Sequence, residues 1–133
     1  MITGLAHACY VVKDLAVAER FYCDGLGLKA AFEFKDDKRG KFGVYLKAGP
    51  RAFIELFVGT PEPVSDKASY RHICLEVDNM AAEVARMRKA GVKVTDPQMG
   101  LDQSWQAWLA DPDGNAIELH QYTPASWQTP HVS

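Results

Sequence analysis

Hydrophobic residues recur with two different periods along the chain, and the order of these periods predicts the secondary structure. Residues 4–12 are typical of a strand that ends in a turn at Lys13. Asp14 is a predicted helix cap, because its carboxylate can accept hydrogen bonds from the free amides of the first turn. The segment LAVAERFYCDG then has the apolar spacing of a helix. Its predicted apolar face contains Leu15, Ala18, Phe21 and Tyr22.

Three strand-like segments follow this helix, and the same order then begins again. The three segments are LKAAFEFK, FGVYLKAG and RAFIELFV. Residues 59–69 contain two prolines and several small polar residues without periodicity, which predicts a linker. Beyond the linker, YRHICLEV is a predicted strand, and Asp78 or Asn79 is the predicted cap of the helix MAAEVARMRKAG. Three further predicted strands are VKVTD, SWQAWLA and NAIELHQY.

The chain is therefore an internal repeat of about 60 residues per copy, which indicates that one βαβββ unit is used twice. Polar residues recur at equivalent places, not only apolar ones. His7 and His72 lie in the first strand of each copy, and Glu55 and Glu118 lie in the last. The predicted fold is α+β, with two tandem modules whose open, curved sheets surround a concave site in one domain. The predicted bounds are 4–58 for module one, 59–69 for the linker, 70–122 for module two and 123–133 for the tail.

Composition narrows the functional classes. With 47% hydrophobic and 24% charged residues, the chain has the balance of a soluble globular protein rather than a disordered one. The formal net charge is -2 and the sequence has no basic block, so we expect neither nucleic acid nor a membrane as a partner. The N-terminal segment lacks the features of a signal peptide. Three widely spaced cysteines predict reduced thiols, and with these features we expect a cytoplasmic location.

The four matched polar residues predict a metal site. Taken singly, a histidine on a strand is more often a hydrogen-bonded core residue, and a glutamate is more often a solvent-facing charge. Here Glu55 and Glu118 each lie on the strand face opposite aliphatic neighbours. Burying isolated carboxylates is costly unless they are paired or coordinate a metal. Together with His7 and His72 they form a set that suits a divalent ion such as Ni, Zn, Co, Mn or Fe.

The sequence resembles the vicinal oxygen chelate superfamily. This superfamily includes glyoxalase I, methylmalonyl-CoA epimerase, fosfomycin-modifying enzymes, extradiol dioxygenases and bleomycin-binding proteins. The resemblance rests on the paired modules, on RFYCDGLGL at the end of the first helix and on LADPDGNAIEL near the C-terminus. It implies metal ligands at His7, Glu55, His72 and Glu118, and this set is most similar to that of the bacterial, nickel-type glyoxalase I (lactoylglutathione lyase).

The resemblance also implies a mechanism, and it leaves two alternative functions open. The metal would chelate adjacent oxygens of a small-molecule substrate and stabilise an enediolate, while a metal-bound glutamate moves a proton. The implied base is Glu118, with Glu55 as its partner on the other module. An Fe(II)-dependent dioxygenase of the same superfamily is one alternative, although those relatives use three protein ligands. A non-catalytic drug-binding resistance protein is the other, although those relatives have lost the metal set.

Three positions weaken the case for a glutathione-linked substrate. Ala68 aligns with a carboxylate-binding arginine of the eukaryotic enzymes, although Arg71 is nearby. The arginine that glyoxalase I has four residues after its first histidine is Val11 here, and the asparagine four residues after its first glutamate is Gly59. By the same resemblance we expect a homodimer whose site lies at or near the subunit interface.

Several other residues have a predicted place beside the four ligands. Cys9 and Cys74 share strand faces with the two histidines, and we interpret them as small apolar fillers. Trp105 and Trp108 fall on opposite faces of one strand. His120 shares the face of Glu118, which predicts either a contact with the site or a solvent-facing strand end.

Overall fold

A computed structural model describes residues 1–132 and confirms the α+β class. The described residues form two compact units, the first from Met1 to Ser65 and the second from Asp66 onward. The first unit contains β1 (His7–Val12), α1 (Leu15–Arg20), a π-helical turn (Phe21–Gly25), β2 (Lys29–Asp36), β3 (Gly40–Lys47) and β4 (Phe53–Val58). The second contains β5 (Ile73–Glu76), α2 (Met80–Lys89), β6 (Gln98–Met99), β7 (Trp105–Ala110), β8 (Ala116–Gln121) and a 3-10 turn (Thr129–His131).

The first unit is a four-stranded sheet with one face packed against α1. The strand order is β1-β4-β3-β2, with β1 parallel to β4 and the remaining pairs antiparallel. Alternation along β4 buries Ile54 and Leu56, which are both 0% exposed and lie on the face of the sheet that packs against α1. Burying each of these side chains contributes about 1.5–3 kcal/mol. Because β1 pairs with β4, the first and last strands of the module are neighbours, and the register places residues 46 apart in sequence side by side.

Local sequence signals determine the bounds of α1. The Asp14 side chain accepts a hydrogen bond from the Val17 amide at 3.0 Å, which confirms it as the cap. The helix continues through the π-helical turn and ends before Gly27, whose φ of 81° lies in the region that favours glycine. Tyr22 is 0% exposed and anchors this turn in the core.

The second unit repeats the arrangement. Its strand order is β5-β8-β7-β6, with β5 parallel to β8. Of the two candidate caps, Asn79 is the one that caps α2, because its side chain accepts from the Ala82 amide at 3.0 Å. Ile117 and Leu119 of β8 are both 0% exposed, as Ile54 and Leu56 are in β4. The equivalent strands of the two units thus bury equivalent residues.

The strand predicted for VKVTD is wrong. Residues 92–97 have no strand, and the short edge strand β6 comes after them. Thr95 connects this segment to β7, because its amide donates to the Trp108 carbonyl and its hydroxyl accepts from the Trp108 amide. The Val94 carbonyl instead accepts from the Arg88 guanidinium at 2.8 Å, and Pro97 has no amide hydrogen to donate. Side-chain hydrogen bonds have replaced a strand ladder.

The helices among residues 1–132 are short. The longest, α2, has 10 residues, whereas about 20 apolar residues are needed to cross a bilayer. None of the described helices combines the length and hydropathy of a membrane span.

Candidate metal centre

In the first unit, the sheet face opposite α1 brings His7 and Glu55 together. The parallel register pairs Cys9 with Glu55, so the His7 side chain lies one step along the same face. His7 Nε2 is 3.4 Å from Glu55 Oε2. The histidine side chain is 43% exposed and the glutamate side chain only 16%. The sheet therefore presents an imidazole nitrogen and a carboxylate oxygen side by side, with the carboxylate more enclosed.

Tyr45 holds the imidazole of this pair. It lies opposite Glu55 in the antiparallel register of β3 and β4, and its hydroxyl is 3.2 Å from His7 Nδ1. The two rings meet edge to face, with centroids 5.8 Å apart. A partner on Nδ1 fixes the ring and leaves Nε2 directed at Glu55, as in many metal-binding histidines.

Aromatic side chains cover much of the rest of this face. Tyr45 stacks between Phe32 and Phe53, with both centroid distances at 4.7 Å. Phe34 packs against Phe57 at 4.9 Å. Gly43 makes room for this cluster, because a Cβ there would lie 2.5 Å from a ring carbon of Phe57. We call the group Phe32, Phe34, Tyr45, Phe53 and Phe57 the aromatic cluster.

In the second unit, the equivalent face brings His72 and Glu118 together. His72 Nε2 is 3.1 Å from Glu118 Oε2, and the glutamate side chain is 13% exposed. Glu118 lies opposite Cys74 in β5 and opposite Trp108 in β7. The Trp108 ring meets the His72 ring edge to face at 4.8 Å. Trp105 faces the other way, as predicted from the alternation along β7.

His120 is a contact of the site and not a solvent-facing strand end. It is 9% exposed, and its Nδ1 lies 3.3 Å from Glu118 Oε1. On its other side, Nε2 lies 3.6 Å from Asp102 Oδ2. This Nε2 is buried and has no hydrogen-bond partner among residues 1–132. The imidazole thus lies between two carboxylates.

Asp102 was not predicted from the sequence, and several contacts hold it in place. Its Oδ2 accepts from the Gln128 side chain at 2.6 Å, and its Oδ1 accepts from the Ser104 amide at 3.2 Å. Its carbonyl accepts from the Trp127 amide at 3.0 Å. The Gln128 hydrogen bond is the main reason that the pKa of Asp102 lies below its usual range.

The interpretation of Cys9 and Cys74 as apolar fillers is wrong, because both are exposed. Each thiol lies beside a site glutamate and donates a hydrogen bond to it. Partial desolvation and then the Glu55 carboxylate raise the pKa of Cys9. Desolvation and then the Glu118 carboxylate raise the pKa of Cys74 to about 12. Cys74, Glu118 and His120 also offer ligand atoms that lie within 4.8 Å of one another, which is a candidate Cys/Glu/His metal site.

The donor geometry of both pairs fits a divalent metal. Ligand atoms bonded at about 2.1 Å, with angles between octahedral and tetrahedral, lie about 3.0–3.4 Å apart. The two Nε2–Oε2 distances, 3.4 Å for His7 and Glu55 and 3.1 Å for His72 and Glu118, fall in this interval. Imidazole nitrogen and carboxylate oxygen are also the donors that borderline divalent ions prefer. The use of all four residues by one ion stays a prediction.

Known proteins resemble this chain in sequence and in fold. Residues 4–119 match the sequence profile of the Glyoxalase/Bleomycin resistance protein/Dioxygenase superfamily. The uncharacterised protein YaeR of Escherichia coli (strain K12) is 31% identical over 123 residues, covering 86% of this chain and 93% of YaeR.

Two solved structures are also similar. TnmS3, an antibiotic binding protein from Streptomyces sp. CB03234, has a TM-score of 0.74 at 25% identity, covering 92% of this chain and 98% of TnmS3. A lactoylglutathione lyase from Agrobacterium tumefaciens has a TM-score of 0.68 at 22% identity, covering 90% of this chain and 94% of the lyase, and so shares the fold. The profile match spans nearly all of the two repeated modules, and the chain belongs to the glyoxalase/bleomycin resistance protein/dioxygenase superfamily.

Proposed function

We propose that the chain is a metal-dependent lyase or isomerase of the glyoxalase type, acting on a small compound with adjacent oxygens such as an α-hydroxycarbonyl. The observation that carries the proposal is the repetition of one donor pair. Each unit holds an imidazole Nε2 within 3.4 Å of a carboxylate oxygen on the sheet face opposite its helix. Two matched pairs provide the two-His, two-Glu set that a borderline divalent ion takes.

The proposed ligands are His7 and Glu55 from the first unit and His72 and Glu118 from the second. A divalent ion bound by them would act as a Lewis acid toward the adjacent oxygens of the substrate and make the neighbouring C–H bond more acidic. Tyr45 holds His7 through Nδ1, so that Nε2 remains available as a ligand. Trp108 restricts the His72 ring from its edge.

Glu118 is the proposed general base. Its carboxylate would take the proton from the substrate carbon as the C–H bond breaks, and would return it to the adjacent carbon as the new C–H bond forms. The hydroxyl proton moves to the former carbonyl oxygen in the same conversion, so the step is a net isomerisation that consumes no oxidant or reductant. Glu118 suits the role because its side chain is only 13% exposed and touches His120 as well as His72. Glu55 then acts as the metal ligand that completes the set.

The proposed substrate is not linked to glutathione. Val11 is 44% exposed on the same strand face as His7 and offers only methyl groups. Gly59 offers no side chain, and a Cβ there would approach Val11 Cγ1 to 2.7 Å. The aromatic cluster lies on this same face. These neighbours favour a substrate with an apolar or planar group over one that carries glutathione, which is a charged tripeptide.

The test is metal content and metal affinity of the tag-free protein, before and after Glu118→Ala. We expect bound Ni, Zn, Co, Mn or Fe, with affinity sharply reduced in the variant, because a directly bound carboxylate is lost. Glu62→Ala is the matched control, since Glu62 is exposed in the segment between β4 and β5. One ion per chain supports a single four-ligand site, whereas two weak ions per chain would mean that each pair binds separately. No binding after reconstitution with each metal would overturn the proposal.

A second candidate function is the binding of a drug-like small molecule without catalysis. The aromatic cluster favours it, and so does the 25% identity to the antibiotic binding protein TnmS3. The two functions predict different effects of the His7→Ala and Glu118→Ala substitutions on ligand binding and turnover. Ligand binding that persists in both variants supports the binding protein, and loss of turnover in metal-loaded Glu118→Ala supports the enzyme.

We also propose a homodimer, as the resemblance to relatives of this size implies. Sedimentation equilibrium of the metal-free and metal-loaded protein tests this. A monomer at all concentrations in both states would exclude it.

A further inference from the structure

His120 is the most enclosed titratable side chain around Glu118. It follows Glu118 by two residues in β8 and so lies on the same face of the sheet. It is 9% exposed, and its Nε2 is buried. Nδ1 is 3.3 Å from Glu118 Oε1, while Nε2 is 3.6 Å from Asp102 Oδ2. The ring is therefore placed between a site carboxylate and a carboxylate outside the site.

The two oxygens of Glu118 have different neighbours. Oε2 is 3.1 Å from His72 Nε2, the proposed ligand nitrogen. Oε1 faces His120 Nδ1. A hydrogen bond to Oε1 restricts rotation of the carboxylate about its last torsion, which is otherwise broad. Oε2 is then held on the side of the proposed metal.

The segment before β7 and the chain after β8 hold Asp102 against His120. Gln103 has a φ of 65°, which forms the tight turn between Gly100 and Ser104. The Gln128 side chain donates to Asp102 Oδ2 at 2.6 Å, and the buried hydroxyls of Ser104 and Ser126 hydrogen bond at 2.7 Å. Asp102 is thus a fixed group behind the imidazole.

The first unit shows that the fold does not require a histidine at this position. Two residues after Glu55 the strand has Phe57, which packs in the aromatic cluster. A phenylalanine is therefore compatible with the equivalent place on an equivalent strand. The histidine in the second unit adds polar contacts to Glu118 and Asp102 that the sheet itself does not need.

We propose that His120, supported by Asp102, is a positioning residue that orients the Glu118 carboxylate for metal binding. This inference rests on the proposed function, because it assigns Glu118 Oε2 to the metal. Outer partners of metal ligands typically change affinity by 10–100-fold when removed. Behind the Glu118 carboxylate lies the His120 imidazole, whereas the equivalent position after Glu55 is Phe57.

The test compares His120→Phe with His120→Asn, using Co²⁺ affinity from competition titration and the visible absorption of bound Co²⁺. The asparagine amide can still donate to Oε1 from the place of Nδ1, whereas the phenylalanine ring cannot. We expect His120→Phe to weaken Co²⁺ binding by about 10–100-fold and to change the absorption bands. His120→Asn should recover most of the affinity and the bands. The matched control is His131→Phe, which changes an exposed histidine in the tail.

Asp102→Asn is a second variant, which stays informative if His120→Phe fails to fold. It should weaken Co²⁺ binding in the same direction but less, because it acts through His120. Wild-type affinity in both His120→Phe and Asp102→Asn would overturn the inference while leaving the proposed function standing. Equal losses in His120→Phe and His120→Asn would also overturn it, because the donor would then be irrelevant. A wild-type protein that binds no Co²⁺, Zn²⁺ or Ni²⁺ would overturn the proposed function, and this inference with it.

Discussion

The two units share a fold and a donor pair, but they surround that pair differently. In the first unit the histidine receives the support, from the Tyr45 hydroxyl, and the aromatic cluster lies beside the pair. In the second unit the glutamate receives the support, from His120, and the Trp108 ring contacts the histidine. What both units keep is the donor pair, while its surroundings have diverged. For the proposed enzyme, this comparison favours a division of tasks, with ligand support and apolar contacts in the first unit and proton transfer in the second.

The two cysteines provide the sharpest comparison between the units. The pKa of Cys74 is about 12, whereas the pKa of Cys9 is raised but without so large a change. Because a raised pKa leaves less thiolate at a given pH, we expect Cys74 in the metal-free protein to alkylate roughly 10³-fold more slowly than a free thiol at pH 8.5. The rate should rise with pH until about 12.

Mass spectrometry after timed iodoacetamide treatment measures both thiols in one sample. Glu118→Gln should accelerate alkylation of Cys74 and leave Cys9 unchanged, since it removes the carboxylate beside Cys74 only. A Cys74 that reacts as fast as a free thiol in the wild-type protein would contradict the shift.

Core truncations test whether the units are equivalent in stability. Leu56→Ala and Leu119→Ala each remove a side chain that is 0% exposed, one residue after the site glutamate. Each substitution should cost about 2–5 kcal/mol in the free energy of unfolding, from lost burial and the cavity left behind. Urea denaturation of each variant measures the cost. A cost below 1 kcal/mol for either variant would show that its unit collapses around the cavity or is already loosely packed.

Of the three predicted effects, that of removing the Tyr45 hydroxyl should be the smallest. Tyr45→Phe keeps the ring stacked between Phe32 and Phe53 and removes only the contact with His7 Nδ1. We expect about a tenfold loss of Zn²⁺ or Co²⁺ affinity, at the lower end of the range for outer partners of metal ligands. Phe53→Leu is the contrasting variant, because it disrupts the stack while keeping the hydroxyl. Competition titration would contradict the assigned role if Tyr45→Phe bound metal as the wild type does.

The sequence was sufficient to predict those features that depend on alternation and repetition. Glu55 and Glu118 lie opposite buried aliphatic neighbours because side chains alternate along a strand, and this needs no tertiary information. The contact between His120 and Asp102 could not be predicted in this way. It joins residues 18 apart through a turn with a positive φ at Gln103 and a hydrogen bond from Gln128. Nothing in the local pattern indicates that geometry.

The wrong predictions for VKVTD and for the two cysteines also have physical reasons. VKVTD alternates like a strand, but a hydrogen bond from the Arg88 guanidinium, and one from the Trp108 amide to the Thr95 hydroxyl, take the place of a ladder. Cys9 and Cys74 were assigned to the correct faces, yet alternation does not indicate whether a face is covered by other residues. The pairing of a thiol with a carboxylate across parallel strands becomes visible only when the register of β1 with β4 and of β5 with β8 is known.

The parallel pairing of first and last strands has a consequence for how the protein folds. His7 and Glu55 come from opposite ends of the first unit, so their contact closes a loop of 48 residues, and such distant pairings form slowly relative to local turns. The hairpin of β2 and β3 can form while the chain is still being synthesised, but the donor pair cannot exist until β4 has emerged and docked beside β1. Each donor pair is thus a marker of a completed module, and capture of the proposed metal during synthesis would follow folding of the unit and not precede it.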